Sequence, residues 1–152
     1  MAEQKADFEV HNKTVLDNGL RVITSPMPHS RSVSLAILIG AGSCYETQEE
    51  AGISHFAEHL YFKGTKRRPT AKEISQAIEG VGGIINGGTD KEVTVFWCKV
   101  ASPQFPMALD VLSDLLLNSR FDGKGIEQER QIIIEEINMN LDLPQRRVSM
   151  LI

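Results

Sequence analysis

The sequence predicts an α+β domain, a mostly antiparallel sheet with helices packed on one face. Three observations point there. Asp17-Asn18-Gly19 joins two short β-branched runs as a hairpin turn. An apolar run, Val33 to Ile39, ends at Gly40 and reads as a central buried strand. Later stretches carry apolar residues at three-and-four spacing, the period of an amphipathic helix.

The elements follow in order. Residues from Phe8 to about Pro26 read as strand, turn and strand, with Val10, Val15, Leu20, Val22 and Ile23 as the apolar positions. Pro26 and Pro28 end that ladder, and His11 and His29 read as surface histidines. No Gly-Lys-Ser/Thr follows Gly40-Ala41-Gly42, so a phosphate loop is a weak reading there. Acidic residues from Glu46 to Glu50 then suit the positive end of a helix spanning about Gly52 to Phe62. Ile53, Phe56, Leu60 and Phe62 offer that helix a packing face. Lys66-Arg67-Arg68-Pro69 reads as a solvated basic turn. Thr70 and Glu73 form a capping box for a helix that buries Ile74, Ala77, Ile78 and Val81.

Ile84 to Gly88 and Glu92 to Val100 read as two strands, with Trp97 in the core. Gly87-Gly88 within a strand invites close approach by another backbone, either a bulge or an edge that accepts an extended peptide. Ser102-Pro103 opens a helix with Phe105, Ala108, Leu109, Leu112, Leu115 and Leu116 as its stripe. A last helix runs from Asp122-Gly123 to about Leu141.

The length of 152 residues fits one domain, and 41% hydrophobic residues suffice for a core. A net charge of −4 argues against a general nucleic-acid binder. Cys44 and Cys98 are not spaced as a metal knuckle and suit a reducing compartment. Residues 1–7 are polar, flexible and unlike a secretory signal. No segment approaches the roughly 18 apolar residues of a membrane span, so a cytoplasmic protein without a membrane partner is expected.

The chemistry concentrates in one helix. His55 and His59 stand four apart and project from one face, where two imidazoles can grip one metal ion. Glu58, beside that face, can take a proton from water next to the ion. The order His-x-x-Glu-His is the inverted form of the common zinc-protease helix motif. The last helix offers further ligands. At about 100° per residue, Glu129 and Glu136 fall within roughly 20° of each other, flanking a face made by Ile126, Ile133 and Ile137. Glu135 points about 100° further round. A metal ion would satisfy such carboxylates. Pairing of Glu129 with Arg130 or another surface cation, and a half-exposed Glu136, is the other reading.

These residues resemble the pitrilysin or insulinase-type zinc metallopeptidases. The resemblance rests on Ala51-Gly52-Ile53-Ser54-His55-Phe56-x-Glu58-His59, Phe62-Lys63-Gly64-Thr65 and Glu129-Arg130-x5-Glu136-Ile137. Asp17 to Val22 and Gly82-Gly83 through Asn86 to Thr94 also fit. It implies Zn2+ held by His55, His59 and Glu136, with Glu58 as general base and Glu129 as an acid bracing a histidine. It also implies a substrate edge at Asn86 and Gly87. The expected activity is endopeptidase cleavage of peptides or unfolded polypeptides. The other expectation is a noncatalytic metal-bound subunit or peptide-binding module that needs a partner.

Three departures accompany the resemblance. Ala57 replaces the usual leucine, Gly87 replaces the usual alanine, and the chain ends at Ile152, soon after the third ligand. Residues 1–152 are therefore expected to form a partial N-terminal metallopeptidase domain. Such a domain would self-associate or join a C-terminal half that supplies substrate-binding arginine and tyrosine.

Overall fold

A computed structural model describes residues 11–145, with Lys124 by its backbone only. The expectations for residues 1–7, for Phe8 and Val10, and for the end of the chain at Ile152 lie outside the described residues. The chain divides into two compact units, with the boundary at Arg31 and Ser32.

The first unit is the hairpin expected from Asp17-Asn18-Gly19. Strands β1 (Asn12–Val15) and β2 (Arg21–Thr24) pair antiparallel, with Asn12 opposite Thr24. Gly19 adopts φ +83°, which a side chain would strain, and Asn18 Oδ1 accepts from the Leu20 amide at 3.1 Å.

The second unit contains β3 (Ser32–Ile39), β4 (Ile84–Thr89) and β5 (Thr94–Ala101) in the order β3-β5-β4, antiparallel throughout. Its helices are α1 (Ile53–Tyr61), α2 (Ala71–Glu79), α3 (Phe105–Leu117) and α4 (Gly123–Asp142). Alternation along β5 buries Phe96, Cys98 and Val100 on one face. Against that face pack Ile74 and Ile78 of α2 and Ala108, Val111, Leu112 and Leu115 of α3. Each buried valine, leucine, isoleucine or phenylalanine there contributes about 1.5–3 kcal/mol by leaving water. The expected α+β architecture, an antiparallel sheet with helices on one face, is what the chain adopts. Among the described residues no helix is long and apolar enough to cross a membrane.

Several local expectations are corrected. The run Val33–Ile39 is not central: β5 is, and β3 is an edge strand among the described residues. Its second apolar face is uncovered, with Leu38 66% exposed. Strand β5 begins at Thr94 rather than Glu92, because Asp90 to Val93 close a turn through Asp90 N–H and Val93 C=O at 2.9 Å. Trp97 is half-buried on the face opposite Phe96 and Cys98, outside the core. Ile53, Val81, Phe105 and Leu109 are exposed; Tyr61 and Val111 take core positions instead. Leu109 lies about 100° round α3 from Ala108, beyond the contact stripe.

The largest correction concerns the basic turn. Arg67 binds Asp110 through both guanidinium ends at 2.7 and 2.9 Å, and Arg68 bridges Asp110 and Asp114 at 2.7 Å each. Thr65, fully buried, donates to Asp114 at 2.6 Å. The turn after α1 is thereby pinned to α3 rather than solvated.

Burial pushes the Asp114 carboxyl up, but hydrogen bonds from Thr65, Asn118 and Arg68 outweigh it and hold the group below its ordinary value. Hydrogen bonds from Arg67 and then Arg68 bring Asp110 down to about 2. A folded pKa below the unfolded value, about 3.9, gives stability that is fully present above that pH and lost as pH falls through about 2. In thermal unfolding, the gap between wild type and Asp110→Asn should therefore narrow as pH falls from about 4 to about 2. A gap independent of pH would contradict the role given to this pair.

Candidate metal centre

Helix α1 is fixed at both ends before it presents any chemistry. Gly52, its N-cap, adopts φ +93°. Glu46 accepts from the Gly52 amide at 2.6 Å and the Ser54 amide at 2.8 Å, so the acidic stretch acts through this one carboxylate. Hydrogen bonding from the Ser54 side chain, then from the two amides, lowers the Glu46 pKa. At the other end Tyr61 packs edge-on against Phe96 and Phe121, with ring centroids 5.1 and 5.3 Å apart. Gly64 then turns at φ +150°, where an added Cβ would lie 2.3 Å from the Pro69 carbonyl oxygen.

Helix α4 starts at Asp122, whose side chain accepts from the Gly125 amide at 2.8 Å. It packs on α1. The isoleucine stripe expected to face the protein is only partly used: Ile126 and Ile133 are half-buried, and Ile137 is 50% exposed. The carboxylate flank faces α1 instead. Glu129 is 2% exposed, Glu136 is half-buried, and Glu135 is exposed. Of the alternative reading, the Arg130 pair does not form, since Arg130 meets Glu127, but Glu129 does pair with another cation, Lys63, and Glu136 is half-exposed.

The structure brings His55, His59 and Glu136 together. The two Nε2 atoms stand 3.1 Å apart, and Glu136 Oε2 lies 3.8 Å from His55 Nε2 and 3.7 Å from His59 Nε2. The last two separations are too long for hydrogen bonds. A tetrahedral ion with bonds of ~2.0–2.2 Å would have ligand–ligand edges of roughly 3.3–3.6 Å. One side of the triangle is shorter and two are longer, each by about 0.2 Å or less, so small side-chain shifts would let it hold a small dication.

The tautomer agrees. Glu129 Oε2 lies 3.1 Å from His59 Nδ1, which fixes the proton there and leaves a lone pair on Nε2. Glu129 is thus not in the triangle but behind it, and its other oxygen meets the Lys63 ammonium.

Glu58 turns towards β4. Its Oε2 accepts from Thr89 Oγ1 at 2.7 Å. A Cβ on Gly87 would come within 3.1 Å of Glu58 Cγ and Oε1 and 2.9 Å of Phe62, so glycine lets the carboxylate lie directly on the strand. Asn86 is exposed, and its side chain accepts from the Gly87 amide at 2.9 Å. Strand β4 pairs with β5 on one side; among the described residues its other edge carries no strand.

Lys63, Thr89 and the Thr65–Asp114 contact escaped the sequence reading. Two of them carried a signal. Lys63 follows His59 by four residues and continues its face, while Thr89 shares a strand face with Gly87.

Fold and triangle together define an α+β domain with a candidate metal site on an inverted His-x-x-Glu-His helix. The family model of insulinase (peptidase family M16) matches residues 21–152, and the chain belongs to that family. It is 42% identical over 127 residues to YmxG, named an uncharacterized zinc protease, of Bacillus subtilis (strain 168), covering 84% of this chain and 31% of that one. It is 42% identical over 123 residues to the mitochondrial-processing peptidase subunit beta of Dictyostelium discoideum, covering 81% of this chain and 26% of that one. The crystal structure of pitrilysin superposes with a TM-score of 0.77 at 29% identity, covering 89% of this chain and 14% of that one. The chain thus spans about a third or less of the length of these relatives.

Removing one member of the triangle should weaken binding of a divalent ion by more than about 100-fold, beyond the loss typical of an outer partner. Glu136→Gln should do this and Glu135→Gln should not, measured by competition against a chromophoric chelator. Equal losses in the two variants would refute the assignment of Glu136.

Proposed function

We propose that the chain is the metal-bearing part of a zinc-dependent endopeptidase acting on peptides or unfolded polypeptides. The observation that carries this reading is the triangle of two imidazole nitrogens and one carboxylate oxygen, 3.1 to 3.8 Å apart, with Glu58 on the same helix. In it, His55, His59 and Glu136 hold zinc, as the names of zinc-protease relatives support. A zinc ion supplies Lewis acidity, making water more acidic and polarising a carbonyl.

The chain's own residues do the rest. Glu58 takes a proton from the attacking water and returns it to the leaving amine. Thr89 orients it by donating to Oε2, leaving Oε1 free to accept that proton. Glu129 keeps His59 in the tautomer that offers Nε2. An extended substrate lies along the open edge of β4 beside Asn86 and Gly87, adding as a strand so that main-chain hydrogen bonds fix its register. The free thiols of Cys44 and Cys98 support a cytoplasmic setting.

One specific observation favours a second reading: among the described residues the outer edges of β3 and β4 carry no strand, and Leu38 of β3 is 66% exposed. In this reading it binds metal and peptide but needs a partner, either a further half or a second subunit, to cleave. Incubation with zinc and unfolded peptides separates the two. Cleavage by the chain alone favours the endopeptidase; binding without cleavage, restored by a C-terminal half from a relative, favours the incomplete module.

Glu58→Gln should abolish cleavage, alone or complemented, while zinc stays bound at wild-type stoichiometry. Cleavage that persists in metal-defined buffer would remove Glu58 from the role of base. Thr89→Val should lower kcat about tenfold, the order of one neutral hydrogen bond, and Thr89→Ser should restore it. An unchanged kcat in Thr89→Val would show that the hydroxyl does not orient Glu58.

A further inference from the structure

The Lys63 ammonium stands where electrostatics alone would disfavour it, close to residues that converge on a dication. Lys63 follows His59 by four residues. Its amide bonds the Leu60 carbonyl at 3.1 Å, so the helical path continues past Tyr61 and the two side chains share one side. Immediately afterwards Gly64 turns sharply, and Thr65 is anchored by Asp114. The backbone at Lys63 therefore has little freedom to move its side chain elsewhere.

From α4, Glu129 reaches both residues. Its Oε1 pairs with Lys63 Nζ and its Oε2 lies 3.1 Å from His59 Nδ1. The exposures of this trio are unequal: Glu129 is 2% exposed, His59 23% and Lys63 36%. A carboxylate that buried is costly unless it is paired. With the imidazole neutral, as a metal ligand must be, Lys63 is the one full positive charge placed against Glu129 among the described residues.

We propose that Lys63 is a positioning residue for the metal site. It holds Glu129 rotated so that one oxygen faces His59, and so sets the direction of the His59 lone pair. The inference rests on the metal site proposed above.

The sign of the effect separates this role from a purely electrostatic one. A bare cation near the site repels zinc, so its removal would tighten binding. An anchor of Glu129 supports the ligand, so its removal loosens binding.

The test is zinc affinity in the full chain, read by chelator competition with no requirement for cleavage. Lys63→Met should weaken zinc binding about tenfold, the lower end of the effect of outer partners on a metal site. Lys63→Arg should retain affinity, because a guanidinium can still pair with Oε1. In the Glu129→Gln background, Lys63→Met should cause no further loss. Lys63→Gln, measured alongside with circular dichroism on every variant, supplies the same reading if the methionine variant does not fold.

Unchanged or tighter binding in the single variants would overturn the proposal. So would an equal loss with Glu129→Gln, since Lys63 would then act other than through Glu129. If the wild-type chain itself binds no zinc, the metal reading of the site fails, and this inference fails with it. Wild-type binding without cleavage leaves the Lys63 comparison fully decisive.

Discussion

The site depends on one carboxylate placed where a carboxylate is expensive. Glu129 is the buried residue of α4 among those described. With one oxygen on His59 and the other on Lys63, it ties α4 to α1 and to the turn that follows α1. An unpaired charge there would push the helices apart or draw in water. Paired, it sets the rotation of α4, and that rotation brings Glu136, seven residues on, to the two Nε2 atoms. Isoleucine packing alone would have turned α4 differently.

The same logic of fixed supports holds around α1. Glu46 satisfies amides at its first turn, aromatic packing on Phe96 and Phe121 seats its last, and the Arg67–Arg68–Asp110–Asp114 cluster ties down the chain beyond. Strand β4 adds Thr89 and the missing side chain of Gly87, which together lay Glu58 along the sheet. The proposed metal ligands, the proposed base and the open strand edge thus come from helices and strands, the condition for holding catalytic groups to a fraction of an ångström.

Much of this was legible in the sequence, for reasons that can be named. The hairpin at Asn18-Gly19, the Thr70–Glu73 capping box and the alternation on β5 are local codes, and local codes survive folding. His55 and His59 were legible because helix periodicity fixes their shared face. Glu136 was separable from Glu135 by the same arithmetic. What was not legible depended on which surfaces meet. Val33–Ile39 is apolar on both faces, and nothing local says that β5 would take the centre. Arg67 and Arg68 looked solvated because their partners lie more than 40 positions away on α3. The isoleucines of α4 dominated the pattern, yet a buried ion pair overrode them, and pattern reading weighs only hydrophobicity.

The central claim is that two histidines and Glu136 form one zinc site. X-ray absorption at the zinc edge, on chelator-free protein with its metal content measured, tests it most directly. The account predicts one zinc per chain, bound by two imidazoles and oxygen ligands at about 2.0–2.2 Å. Substoichiometric metal, or a sulfur shell near about 2.3 Å drawn from Cys44 or Cys98, would contradict it.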